Sequence, residues 1–204
     1  MICNMIKNVF FDLGQVLVSF VPYDLTKPYF TEENDIKIVE EVLFDRAYWD
    51  KLDEGKITDE QVMTSVFARL PQRLHNGAEQ AYYNWVYNMP EIKGMEDIII
   101  RLKNEGVNIC ILSNISMLFV KHYKEIPILK HFDKFVFSSV CGLVKPNKDI
   151  FDYALNKYSF NSQETLFIDD RSENIEGAKK AGISGYVFDG NVKKLDEFLK
   201  SVNL

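Results

Sequence analysis

The stretch NVFFDLGQVLV, residues 8 to 18, sets an acid against an apolar run: Asp12 follows Val9, Phe10 and Phe11, and Leu13 and Gly14 come next. A short run that is apolar throughout reads as a strand covered on both faces. A carboxylate at its end either forms a turn or does chemistry. Four more runs share this character: Val107 to Leu112 (VNICIL), Phe135 to Phe137, Thr165 to Ile168 (TLFI) and Gly185 to Phe188 (GYVF). Amphipathic helices lie between them. One carries Met95, Ile98, Ile99 and Leu102 on a single face and ends near Gly106; the last carries Val192, Leu195, Phe198, Leu199 and Val202. This alternation predicts an α/β, Rossmann-like core with a doubly wound parallel sheet.

The region from about Val21 to Pro90 has a different texture, with helical patterns and no strand. In ITDEQV, Thr58 and Gln61 fit a capping box while Ile57 and Val62 fit a hydrophobic staple. A helix is therefore expected to start at Asp59, bury Val62, Val66, Phe67 and Leu70, and stop near Pro71. Others are expected from about Glu32 to Phe44 and from about Ala78 to Asn88. The predicted division is a core of residues 1–20 and 91–204 with an all-helical insert of residues 21–90.

Composition narrows the function classes. The 204 residues are 47% hydrophobic and 26% charged, ordinary for one soluble domain with an insert. No apolar run approaches the roughly 20 residues of a transmembrane helix, and the start MICNMIKNVFF lacks a signal-peptide pattern. Cytoplasmic location and no membrane association are the expectations. A net charge of −6 argues against a nucleic-acid partner, which would call for a basic face. Cys3, Cys110 and Cys141 form no CxxC pair and read as reduced, buried thiols. His75, His122 and His131 have no metal-ligand spacing and read as surface or core.

Ligands in open α/β sheets bind beyond the carboxyl ends of the strands. Asp12 follows the first run, Ser113 and Asn114 follow VNICIL, Lys145 lies beyond the third, and Asp169 and Asp170 follow TLFI. Each has a plain alternative: an Asx turn for Asp12, a helix cap for Ser113 and Asn114, a solvated loop position for Lys145. The acidic pair is harder to dismiss. Two adjacent acids after a buried strand repel and lose solvation unless a cation compensates them. Asn174, one turn on, could orient Asp170 or a metal-bound water, or simply belong to a helix's first turn.

The ordered set resembles the haloacid dehalogenase-like hydrolase superfamily over nearly the whole chain. Its four motifs match Asp12 in FFDLGQVLV, Ser113 in ILSN, Lys145 in GLVKPNKDIF, and Asp169 and Asp170 in LFIDDRSENIEGAKKAGI, and the helical insert is similar to the family's cap. The resemblance implies a phosphatase in which Asp12 attacks phosphorus and forms an aspartyl phosphate that water hydrolyses. It implies Mg²⁺ held by Asp12, the Gly14 carbonyl, Asp169 and Asp170. Ser113, the Asn114 amide and Lys145 would bind the phosphoryl group of a small phosphorylated metabolite, in a monomer or weak homodimer. Two other outcomes stay open: a weakly active or inactive phospho-ligand-binding protein, and a 2-haloacid dehalogenase, which typically lacks the acidic pair.

One position departs from the pattern. The phosphatases usually carry a second Asp two residues after the nucleophile, as the acid that protonates the leaving oxygen; here that residue is Gly14. General acid catalysis is worth about 10² to 10⁴ in rate. Either the substrate has a good leaving group, such as the anomeric oxygen of a sugar 1-phosphate, or another group supplies the proton, or activity is weak. By position alone, Asp45, Tyr48 and Asp50 are candidates for that proton.

Overall fold

The computed structural model describes residues 5–204; Cys3 lies outside them. Five strands, β1 (Asn8–Phe11), β2 (Asn108–Ser113), β3 (Phe135–Phe137), β4 (Thr165–Asp169) and β5 (Ser184–Val187), form one sheet in the order β3-β2-β1-β4-β5. Every neighbouring pair is parallel. The order of connection reverses between β1 and β4, which is where such sheets open a crevice. In register, Phe11 faces Ile111 on one side and Ile168 on the other, so Asp12 emerges between the ends of β2 and β4. β2 and β4 each run to a polar residue, because Ser113 still aligns with Phe137 and Asp169 with Val187.

Strand residues alternate between the two faces, as the two-residue repeat requires. On one face Val9, Phe11, Ile109, Ile111, Leu166 and Ile168 pack with α6 (Met95–Asn104) and α11 (Val192–Ser201). On the other, Phe10, Cys110, Leu112, Val136 and Phe167 pack with α9 (Lys148–Tyr158) and α10 (Ser172–Lys180). Cys110 is thus a core residue whose thiol burial pushes up, away from reactivity. Two shorter helices, α7 (Met117–His122) and α8 (Ser138–Cys141), follow β2 and β3.

Between β1 and α6 come α1 (Pro22–Thr26), α2 (Glu33–Leu43), α3 (Arg46–Asp53), α4 (Asp59–Arg69) and α5 (His75–Asn84). The chain leaves and returns along paired segments: the Ser19 N–H donates to the Pro90 carbonyl at 2.8 Å and the Ile92 N–H to the Leu17 carbonyl at 2.9 Å. The α4 capping box is formed, with Thr58 Oγ1 accepting from Gln61 N at 3.2 Å and Thr58 N donating to Gln61 Oε1 at 2.9 Å. Val62, Val66 and Leu70 are buried, while Phe67 stays half-buried and stacks on His75, with ring centres 4.6 Å apart. These helices share one apolar cluster with the first sheet face, through Trp49 and Tyr82 and through Trp85 and Val86 in the turn after α5. Among the described residues no helix is long and apolar enough to cross a membrane.

Candidate active site

The residues singled out at the strand ends come together. Lys145 Nζ lies 2.9 Å from Asp12 Oδ1 and 2.7 Å from Asp169 Oδ2, with its side chain only 1% exposed. It is no solvated loop lysine. Burial alone would lower its pKa, yet Asp12 and Asp169 outweigh burial and raise it, so the ammonium stays charged. Asp12 Oδ1 also accepts from the Leu13 N–H at 2.7 Å, which leaves its other oxygen without a hydrogen-bond partner among the described residues. Burial pushes the Asp12 carboxyl up to about 7 against the pull of Lys145.

Asp169 is fully buried and held by four contacts. Besides Lys145, the Arg171 N–H donates to Oδ1 at 2.8 Å, and Asn174 Nδ2 lies 3.0 Å from both oxygens. Asn174 therefore serves Asp169, not Asp170 as the sequence suggested. The reason is local: the chain turns into α10 directly after Asp170, and the first turn of α10 lies under the end of β4. Asp170 is half-buried and its carboxyl is raised, first by burial and then by the Asp169 charge.

The loop that carries Lys145 is fixed from both sides. Asn114 Oδ1 accepts from the Lys145 N–H at 2.9 Å and Asn114 Nδ2 donates to the Lys145 carbonyl at 3.0 Å, so this side chain brackets the lysine's backbone. From below, Gly177 admits the Pro146 carbonyl, which would lie 2.2 Å from a Cβ there. The small residues of GAKKAG thus matter at Gly177 for the approach of this loop. Ser113 is buried and, among the described residues, its hydroxyl has only a long 3.4 Å contact with the neighbouring Asn114 carbonyl.

Asp12, Gly14, Ser113, Asn114, Lys145 and Asp170 line a cavity of about 230 Å³. Phe20, Trp49 and Met89 give it an apolar wall, which places Phe20 and Trp49 as the aromatics facing the crevice. Asp12, Asp169 and Asp170 can each bring one oxygen into a set lying within 4.8 Å of one another, the sole such group of three or more among the described residues. Gly14 lies on the cavity wall and its carbonyl accepts no hydrogen bond among the described residues. Hard oxygen donors of this kind suit Mg²⁺.

Two contributors had escaped sequence reasoning. Ser138, buried at the start of α8, donates from Oγ to the Asp53 carbonyl at 2.5 Å and accepts from the Ile115 N–H at 2.9 Å, tying the end of α3 to the loop after β2. Asp53 itself is buried on the cavity wall. A signal was present, since Asp53 falls four residues after Trp49 and so shares the apolar side of α3. The positional candidates are engaged elsewhere: Asp45 caps α3 and pairs with Arg69 at 2.7 Å, Tyr48 lies under the Arg69 guanidinium, and Asp50 pairs with Arg46 at 2.6 Å.

Known proteins resemble this chain in sequence and in fold. Residues 52–187 match the family model described as haloacid dehalogenase-like hydrolase. A sesquiterpene phosphatase, astK, of Aspergillus oryzae is 23% identical over 188 residues, covering 90% of each chain. A glyceraldehyde 3-phosphate phosphatase of Pyrococcus abyssi is 28% identical, over 88% of this chain and 79% of that protein. The fold is shared with the family enzyme bt-2542 of Bacteroides thetaiotaomicron, crystallised with magnesium and inorganic phosphate (TM-score 0.72, 21% identity, 91% of this chain and 96% of that one). On its motifs, its sheet and the family match over two thirds of its length, the chain belongs to the haloacid dehalogenase-like hydrolases.

Proposed function

We propose that this protein is a Mg²⁺-dependent phosphatase of small phosphate monoesters. The observation that carries the reading is the cluster of Asp12, Lys145, Asp169 and Asp170 at the carboxyl ends of the sheet, in a cavity whose size suits a small metabolite. The magnesium and phosphate of the bt-2542 structure and the phosphatase activities named for the relatives support it.

In this reading Asp12 is the nucleophile. Its carboxylate forms a bond to phosphorus as the ester bond breaks, and water then releases phosphate and restores the carboxylate. Lys145, held charged by its two carboxylates, neutralises Asp12 and the incoming phosphoryl oxygens. The Ser113 hydroxyl and the Asn114 main-chain amide are donors for those oxygens, while the Asn114 side chain keeps Lys145 in place. Asp12, the Gly14 carbonyl, Asp169 and Asp170 would hold Mg²⁺, which supplies positive charge against an anionic substrate and brings the Asp12 carboxyl down to its ionised form. The helices of residues 21–90 act as the cap, presenting Phe20 and Trp49 to the organic part of the substrate.

A panel of phosphate esters covering a sugar 1-phosphate, a triose phosphate and a terpenyl phosphate, assayed with Mg²⁺ and with a chelator, tests this. A sugar 1-phosphate, whose anomeric oxygen leaves readily, asks least of Gly14. Phosphate release should vanish with the chelator and fall by on the order of 10⁴-fold or more in Asp12→Asn. Tight binding of an ester without turnover would show a phospho-ligand-binding protein instead.

A further inference from the structure

We propose that Asp53 is the general acid of this site, supplying from the cap the proton that Gly14 has no side chain to give. This rests on the phosphatase reading above and adds the residue that acts on the leaving group.

A Cβ built on Gly14 would meet only Phe20 Cβ, at 3.8 Å, so the backbone has room for a side chain and the sequence supplies none. Asp53 borders the same cavity as Asp12 and Gly14, only 9% exposed, at the last residue of α3. Its carboxyl has no hydrogen bond or ion pair among the described residues. A buried carboxylate without a donor is costly, whereas a protonated carboxyl is tolerated and carries a proton to give. Burial accordingly pushes the Asp53 carboxyl up to about 7.

The groups around Asp53 are consistent with that state. On its own helix Arg46 favours the charged form and Asp50 opposes it; across the cavity Lys145 favours it and Asp12 opposes it. Asp170 and Arg171 line the same cavity, and α8, packed against α3, carries no charged residue. None of these hydrogen-bonds the carboxyl.

The placement is built rather than incidental. Ser138 Oγ holds the Asp53 carbonyl at 2.5 Å and accepts from Ile115 N, two residues after Ser113. Gly55, with φ +69°, seats the following turn against the Ser139 carbonyl, which would lie 2.8 Å from any Cβ there. The end of α3 is thereby pinned over the strand ends.

The chemistry balances. An Asp12 oxygen forms its bond to phosphorus while the bond from phosphorus to the ester oxygen breaks, and that oxygen takes the Asp53 proton and leaves as an alcohol. Asp53, now a carboxylate, accepts a proton from the water that attacks phosphorus as the bond to Asp12 breaks. Inorganic phosphate departs and both aspartates return to their starting forms.

The test uses p-nitrophenyl, phenyl and benzyl phosphate with Mg²⁺, esters of similar shape whose leaving groups become steadily less acidic. kcat/KM reports the step in which the leaving group departs. In Asp53→Asn it should fall about 10² to 10⁴-fold for benzyl phosphate and less than tenfold for p-nitrophenyl phosphate. The wild-type decline of benzyl phosphate kcat/KM as pH rises through the acid's range should disappear. Gly14→Asp added to Asp53→Asn should restore benzyl phosphate turnover at least tenfold over Asp53→Asn alone. An equal loss on all three esters, or none, with the circular dichroism spectrum and melting temperature of the variant retained, overturns the role of Asp53 while leaving the phosphatase standing. Wild-type protein that releases phosphate from none of the three overturns both.

Discussion

The ends of β4 and α3 each bring a buried aspartate to one site, and the two differ in what meets them. Asp169 receives Lys145, the Arg171 N–H and Asn174 at 2.7 to 3.0 Å. The Asp53 carboxyl receives no hydrogen bond among the described residues, although its backbone carbonyl is held by Ser138. Donors around a carboxylate offset the cost of burying its charge, and their absence favours the neutral acid. The same residue type is thus held by donors on the sheet side and left without one, as an exchangeable proton, on the cap side. Division of labour between two carboxyls by environment is a general route to acid and base chemistry at one site.

The sheet side can be broken most severely at Lys145. Its ammonium is the one side-chain cation in contact with both Asp12 and Asp169 among the described residues. Lys145→Met keeps the volume and strands two buried carboxylates, and removing one member of a buried ionic group typically costs about 3 to 5 kcal/mol. Urea unfolding in the presence of a chelator should show a loss of that order. Mg²⁺ should then restore more stability to the variant than it adds to the wild type, since it substitutes for the missing charge. A loss under about 1 kcal/mol would mean that the acids are better solvated than their burial implies.

The cap side should respond in the opposite sense, and to pH. With the Asp53 carboxyl pushed up to about 7 in the folded state and ordinary when unfolded, the folded protein holds the extra proton between those values. Stability contributed by that proton is complete at low pH and is lost as pH rises from about 4 to about 7. Asp53→Asn cannot lose it. The variant should match the wild type below about pH 4 less the small cost of substitution, and exceed it at pH 8 by on the order of 2 to 4 kcal/mol. Asp12 also titrates high and is common to both proteins, so only its coupling to Asp53 enters the difference. A wild-type advantage at pH 8 would show that Asp53 is ionised and stabilised there.

How much of this contrast could be read beforehand follows from where the signals lie. Asp12, Ser113 and Asp169 stand at abrupt ends of apolar runs, and parallel alternation gathers such ends on one edge, so sheet and site could be read from spacing. Lys145 was marked by its place beyond the third run but alone read as a solvated loop lysine, because nothing near it predicts that a residue 31 positions from Asn114 has its backbone bracketed by that side chain. Asn174 was visible as a candidate, but its partner depended on how α10 sits under β4. α3 escaped the periodicity: eight residues with four charged ones make a thin apolar stripe. Asp53 and Ser138 escaped with it, since their contact joins positions 85 apart and comes from docking of one unit on the other.

That docking contact offers the finest probe of the comparison. Ser138→Ala removes a fully buried hydroxyl that serves the Asp53 carbonyl and the Ile115 N–H. The stability cost should be about 1 to 3 kcal/mol, below that of Lys145→Met. Its catalytic signature should be selective. Asp169, Lys145 and Asp12 keep every contact they have, so attack on p-nitrophenyl phosphate should change by no more than about twofold. Asp53 loses the bond that sets its height over the strand ends, and proton transfer requires hydrogen-bond distance. Benzyl phosphate kcat/KM should fall about tenfold, with the pH profile keeping its shape because the acid is still present but misplaced. Ser138→Thr retains the hydroxyl and should recover most of that loss. A fall shared equally between the two esters would place the effect of Ser138 on Ile115 and the phosphoryl-binding loop, and the two sides of the site would then not be separable through this residue.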